Sequence, residues 1–198
     1  MIKCLHLLLL LTASLCFAQN NTLKMTTTLP QNREVDQLLR FENIDMYHTK
    51  FSGPAIKGKN YYIVAKELWK GKIKNIDTVF TSASLPIPTT QGDSLKFTVT
   101  ATKSAAKTLK IQFDFGRFSL TREYKSTKHN DYSLRDFGTQ LPIETYKSFY
   151  AFAYILPQRN KDGSSSWCAV ESSGKDIEKW GTEFGLEHYI LFEMQFFD

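Results

Sequence analysis

Cys168 and His188 are the pair in this chain whose types could support nucleophilic chemistry. An imidazole beside a thiol can generate the thiolate, which is the attacking species in cysteine hydrolases. If 167–172 and 186–197 pair as a hairpin across 173–185, position 170 falls near 188. Cys168, Val170, His188 and Ile190 then share one face. That face continues into Phe192, so the pattern predicts a buried thiol and a hydrogen-bonded core histidine rather than a dyad. A hydrolase centred on Cys168 stays open as an alternative.

Other chemistries find less support. Glu183, Glu187 and Glu193 have the residue type of a glycosidase pair. Glu187 and Glu193, however, lie six residues apart on one strand face, about 20 Å at strand rise, too far for either hydrolytic geometry. An exposed acidic face is expected there. His48, His129 and His188 are far apart in sequence with no two at ligand spacing, so no metal site is expected. The chain contains no Gly-rich phosphate loop, Gly-x-Ser-x-Gly elbow, His-Glu-x-x-His or Cys-x-x-Cys. No catalytic residue and no cofactor are assigned.

Recognition is the better-supported chemistry. If the strands from Ser94 onward alternate in direction, the connections 103–107, 125–147 and 173–185 gather at one pole. Long loops on a rigid β scaffold carry binding more often than their supporting strands do. These loops bring His129, Asp131, Tyr132, Arg135, Lys175, Trp180 and Glu183 together. Aromatic rings beside an arginine and carboxylates suit a protein or glycan ligand. Tyr132, Arg135 and Trp180 are the expected ligand-binding residues; the competing expectation is that Tyr132 and Trp180 close the end of the core.

Period-two patterning supplies the elements that would position them. Leu95, Phe97, Val99 and Ala101 alternate with Lys96, Thr98, Thr100 and Thr102, and Leu109, Ile111, Phe113 and Phe115 alternate with Lys110, Gln112 and Asp114. Both stretches read as strands with one face in the core and one in water. Residues 61–69 and 73–81 flank Lys70-Gly71-Lys72 as a hairpin. Residues 148–156 are apolar on both faces and predict a central strand covered on both sides. That double-sided pattern argues against a small outer-membrane barrel, whose lumen is polar. Asn32 is placed to cap a short helix through Phe41, with Val35, Leu38 and Leu39 on one face. About nine strands and this one short N-terminal helix predict an all-β domain. An antiparallel β-sandwich, immunoglobulin-like or jelly-roll-like, is the expected architecture.

The N-terminus bears on location. Lys3 precedes the apolar run 5–15, and Cys16-Phe17-Ala18 offers small residues at the −3 and −1 positions of a signal-peptidase site. The run is too short to span a bilayer, so an export signal over 1–18 is expected, with no transmembrane anchor. Residues 19–31, polar and Thr-rich, then read as a flexible leader, and 32–198 as a single domain. Loss of the signal takes Cys4 and Cys16 with it, leaving Cys168 without a disulfide partner. The net charge of +5 falls by one with Lys3. This basic excess is scattered, which disfavours nucleic acid as a partner.

The Cys-Phe-Ala-Gln ending resembles the cleavage sites of exported proteins of Bacteroidetes bacteria, and the overall build resembles the small exported proteins of that group. The resemblance implies a periplasmic or secreted location and supplies no functional residue. The sequence therefore leads to a non-enzymatic binding protein of the envelope, with an inhibitor or immunity-type protein as a further alternative.

Overall fold

The computed structural model describes residues 22–84, 90–105, 107–167 and 176–198. The expected signal 1–18, Cys168 and Lys175 lie outside the described residues. Within them the chain is mostly antiparallel β-sheet, in two sheets that face each other in a sandwich-like arrangement.

The first sheet has six strands in the order β7 (Ser119–Lys125), β6 (Thr108–Asp114), β5 (Ser94–Lys103), β2 (Ile44–Ser52), β1 (Thr22–Thr28) and β9 (Ile143–Glu144). The second has five, in the order β4 (Lys72–Thr81), β3 (Asn60–Trp69), β13 (His188–Phe197), β10 (Phe149–Ile155) and β8 (Ser133–Arg135). A small hairpin of β11 (Gln158–Arg159) and β12 (Ser165–Ser166) follows β10. Inward residues of both sheets meet in one apolar core. Phe51 of the first sheet meets Phe196 of the second edge-on at 5.3 Å between ring centroids, and Phe113 meets Phe192 at 5.3 Å. Such edge-to-face pairs set the positive ring edge against a negative face.

The expected flexible leader is a strand from Thr22 onward. Met25 lies opposite Phe51 in the β1–β2 ladder, and Leu23 opposite Ile143 in β9. Both side chains are buried in the core. The reason is legible in hindsight: Leu23 and Met25 alternate with Lys24 and Thr26, and threonine is a good strand former as well as a common linker residue. The helical content also exceeds the single helix expected. Besides α1 (Arg33–Phe41), a short α2 (Trp180–Glu183) and several 3-10 turns are present.

α1 begins as expected, with Asn32 Oδ1 accepting the backbone N–H groups of Glu34 at 2.9 Å and Val35 at 3.3 Å. Its apolar residues are not taken into the core: no residue of α1 is buried, and Phe41 is 80% exposed.

The segment carrying α2 forms a third layer. Trp180 and Leu186, with Phe137, pack on Leu68, Ala153, Ile155, Tyr189 and Leu191, the outer face of the second sheet. β10 is thereby covered on both sides, as its composition predicts. The β3–β4 turn makes room for this layer. Lys70 and Gly71 both have positive φ (49° and 73°), the conformation of a tight hairpin turn. The backbone of Gly181 lies against that of Gly71, so closely that a Cβ on either would overlap the other segment. Lys66 pins the layer down, its Nζ 2.8 Å from Glu178 Oε1 and 2.9 Å from Glu193 Oε2. Glu193 is therefore a paired, largely covered carboxylate and not part of an exposed acidic face.

Candidate functional site

The expected gathering of loops at one pole holds for 103–107 and the start of 125–147. Lys103 Nζ donates to the His129 carbonyl at 2.8 Å and to Asn130 Oδ1 at 2.7 Å. The N–H of Ser126 donates to the Lys107 carbonyl at 2.9 Å. The same end receives Asp131, held by Arg159 Nη2 at 2.9 Å, and Glu187, whose Oε2 is 3.8 Å from His129 Nε2.

The three expected binding residues do not converge on one surface. Tyr132 is 7% exposed, and its hydroxyl points inward, 2.8 Å from His188 Nδ1. It also accepts the Thr127 N–H at 3.2 Å. Trp180 is 3% exposed and meets Phe137 edge-on at 4.9 Å in the third layer. The physical reason is size: a large aromatic in a loop that crosses an apolar sheet face is drawn onto that face. Arg135, half-buried in β8, places its guanidinium 5.5 Å from the centroid of the Trp167 ring. Of the remaining pole residues, Glu183 is exposed on α2.

Cys168, the expected neighbour of His188, lies outside the described residues. His188 lies opposite Trp69 of β3, and the other edge of β13 is taken by β10 from Tyr189 onward. His188 is wholly buried, its ring tilted 35° against that of Trp69 with centroids 4.1 Å apart. Its Nε2 faces Glu67 Oε1 at 3.4 Å, and that oxygen accepts the Trp69 Nε1–H at 2.7 Å. Desolvation pushes the imidazole down to about 3, so His188 is neutral at neutral pH. The expected core histidine is found, bound into a polar brace that includes Tyr132, Glu67 and Trp69.

Just outside that brace lies a polar cleft of about 320 Å³. Its walls come from the end of α1 and the start of β2 (Arg40, Asn43, Asp45), from the 130–133 loop (Asn130, Asp131, Ser133), and from Tyr132 and Trp167. Local sequence explains the geometry. Asn43 closes α1 with a positive φ of 52°, a conformation asparagine tolerates, and so redirects the chain into β2. Asp45 follows two positions later on the same parity as Tyr47, Thr49 and Phe51, the core-facing side of β2. Its Oδ2 accepts the Leu134 N–H at 2.8 Å, which ties β8 to the first sheet. Burial holds the Asp45 carboxyl above the usual carboxylate range, opposed by the Leu134 hydrogen bond and the charge of Arg135. Trp167 is fixed by its Nε1–H donating to the Ile155 carbonyl at 3.4 Å, and Arg135 stacks on its ring.

Arg40, Asn43, Asp45, Asn130, Ser133 and Trp167 are the cleft residues that the sequence pattern did not single out. One signal was available: a carboxylate at an inward-parity position of a strand is out of place unless it has work there. Among the described residues, no group of three or more His, Cys, Asp or Glu is placed to hold a metal ion. Among the described residues, no helix is long and apolar enough to cross a membrane.

Neither a protein-family model, nor a curated protein, nor a solved structure matches this chain.

Proposed function

We propose that this chain is an exported, non-enzymatic binding protein of the cell envelope that takes a glycan at the polar cleft of its loop-rich pole. The observation that carries the reading is Asp45. A carboxylate kept half-buried at a cleft wall, against its own desolvation, is a recurrent mark of a functional site. Asn43, Asn130, Asp131 and Ser133 surround it with planar amides, a second carboxylate and a hydroxyl. Sugar hydroxyls both donate and accept, and they match such a set. Trp167 adds a π face, whose negative quadrupole attracts the C–H groups of a pyranose ring. The volume is at the lower end of small-molecule pockets, the size of a short saccharide. In this reading Arg135 positions Trp167, and Tyr132 supports the floor. Periplasmic or secreted location rests on the signal pattern of 1–18 and its resemblance to Bacteroidetes exported proteins.

A second reading, a protein partner of inhibitor or immunity type, is favoured by one observation. Leu38 (60% exposed) and Phe41 (80% exposed) form an open apolar stripe on α1, the helix that delivers Arg40 and Asn43 to the cleft.

Retention on immobilised envelope oligosaccharides tests both. The unaltered protein should be retained, and Asp45→Asn and Asn130→Ala should lose at least tenfold in affinity with unchanged far-UV circular dichroism. Absence of retention at millimolar saccharide would overturn the glycan reading. Capture of an envelope protein abolished by Leu38→Ser with Phe41→Ser would support the second.

A further inference from the structure

The outer face of the first sheet carries a second cleft, of about 490 Å³, far from the pole chemistry and built on β1, β2 and β5. Strand register sets its floor. Lys50 of β2 lies directly opposite Lys96 of β5, with Thr26 of β1 on the other side of Lys50. The next row reads Thr28, His48, Thr98 and Asp114, each opposite its neighbour.

Two lysines directly opposite on antiparallel strands repel each other, since their Cα atoms are only about 4.5–5.5 Å apart. Lysines often guard sheet edges against aggregation, but β2 and β5 are interior strands of a six-stranded sheet, so that role does not apply. Both ammonium groups are exposed, and among the described residues neither has an ion pair with a carboxylate. Thr26 Oγ1–H donates to the Lys50 carbonyl at 3.4 Å, and His48 is oriented by a 3.0 Å hydrogen bond between its Nδ1 and Thr98 Oγ1, leaving Nε2 as the ring's remaining polar atom. At the far end, Asp114 is held by the Gly116 N–H at 2.8 Å and is the acceptor of the set.

We propose that this cleft binds a tetrahedral oxyanion, a phosphate or sulfate ester, carried on a polyol. The ester oxygens bridge Lys50 and Lys96 and relieve their mutual repulsion, and with Thr98 Oγ1–H donating to Nδ1 the His48 Nε2–H is a further donor. Asp114 accepts a hydroxyl from the polyol, one strand spacing and two residues away from Lys96. The site is independent of the pole cleft, and neither proposal needs the other.

Thermal unfolding and calorimetric titration with glucose 6-phosphate, glucose, inorganic phosphate and inorganic sulfate test it, each against sodium chloride of equal ionic strength. Glucose 6-phosphate should raise the melting temperature progressively with concentration, and glucose should bind at least tenfold more weakly. Lys50→Gln with Lys96→Gln should lose at least tenfold in affinity and, without ligand at low salt, melt higher than the unaltered protein. Lys110→Gln, an exposed lysine of β6 outside both clefts, should leave the titration unchanged. An equal shift from sodium chloride, or undiminished binding by the double variant, would overturn the proposal. Inorganic phosphate or sulfate binding as tightly as the sugar ester would overturn its polyol half. Anionic lipid vesicles retaining the protein while glucose 6-phosphate does not bind would overturn the small-ester ligand.

Discussion

The Tyr132 hydroxyl lies 2.8 Å from Nδ1 of His188, joining the loop ahead of β8 to the first residue of β13 across 56 positions of sequence. The same oxygen accepts the N–H of Thr127, so one phenol satisfies two buried polar groups. Tyr132→Phe preserves the ring and its packing on Tyr154 but strands both partners. A buried donor or acceptor left without a partner costs about 1–3 kcal/mol. The urea midpoint of Tyr132→Phe should fall accordingly, with an unchanged m-value. A midpoint within error of the unaltered protein would show that the phenol is a spectator.

His188 makes stability depend on acid. Its folded value, about 3, lies below the ordinary imidazole value of 6.5, so between those limits the unfolded chain binds the extra proton. Stability is therefore fully present above pH 6.5 and declines as the pH falls toward 3, with a limiting slope of about 1.4 kcal/mol per pH unit from this one group. Nuclear magnetic resonance of the His188 ring should show no protonation in the folded protein between pH 7 and 4. An ordinary titration near 6.5 would refute the burial argument.

Much of this fold is legible in the sequence, and the parts that are not have physical causes. Strands such as Leu95–Ala101 and Leu109–Phe113 announce themselves because one face is core and one is water. β1 hides because its polar face is threonine, a residue shared by strands and linkers. The pole is harder still. Local alternation correctly places His188 inward with Ile190 and Phe192, but it cannot say that β3 is its neighbour, because strand order is a long-range property. Trp180 and Tyr132 look like ligand contacts in sequence for the same reason that they are buried: large amphipathic rings serve both uses. Asp45 was visible by parity alone, as a carboxylate on the inward side of β2.

Gly181 tests how the third layer is seated. A Cβ at this position would strike the Gly71 backbone, and neither segment has a flexible side chain that can yield. Gly181→Ala should separate α2 from the β3–β4 turn and loosen Trp180 from Phe137, at about 1–3 kcal/mol for an overpacked site. Faster hydrogen exchange at Lys70 and at 177–186, with β5 and β6 unaffected, is the expected signature. Uniform exchange across both sheets would instead mean that the layer is integral to global folding.

β1 is predicted to contribute core energy rather than merely to tether the domain. Met25 is 1% exposed against Phe51, and its Sδ fills the space where Gly138 lacks a Cβ. Met25→Ala should cost about 2–5 kcal/mol, the range for deleting a buried long side chain. Lys24→Ala, on the exposed face of the same strand, should change stability by no more than about 0.5 kcal/mol. Equal small effects at both positions in chemical denaturation would restore the flexible-leader reading.

Asp45 separates stability from recognition. Its carboxyl is raised by desolvation, so above the ordinary carboxylate range the native state holds its proton more tightly than the unfolded chain does. Stability then falls as the pH rises from the unfolded value near 3.9 through the folded one, and at pH 7 the ionised carboxylate is a net burden. Asp45→Asn keeps the shape and an oxygen able to accept the Leu134 N–H. It should raise the denaturation midpoint at pH 7 and lose that advantage as the pH falls below the ordinary carboxylate range. The same variant should fail to retain saccharide. A more stable protein that no longer binds is the expected outcome for a residue maintained at the cleft for its charge. If Asp45→Asn is instead less stable at pH 7, the carboxylate serves the β2–β8 junction and the cleft loses its principal witness.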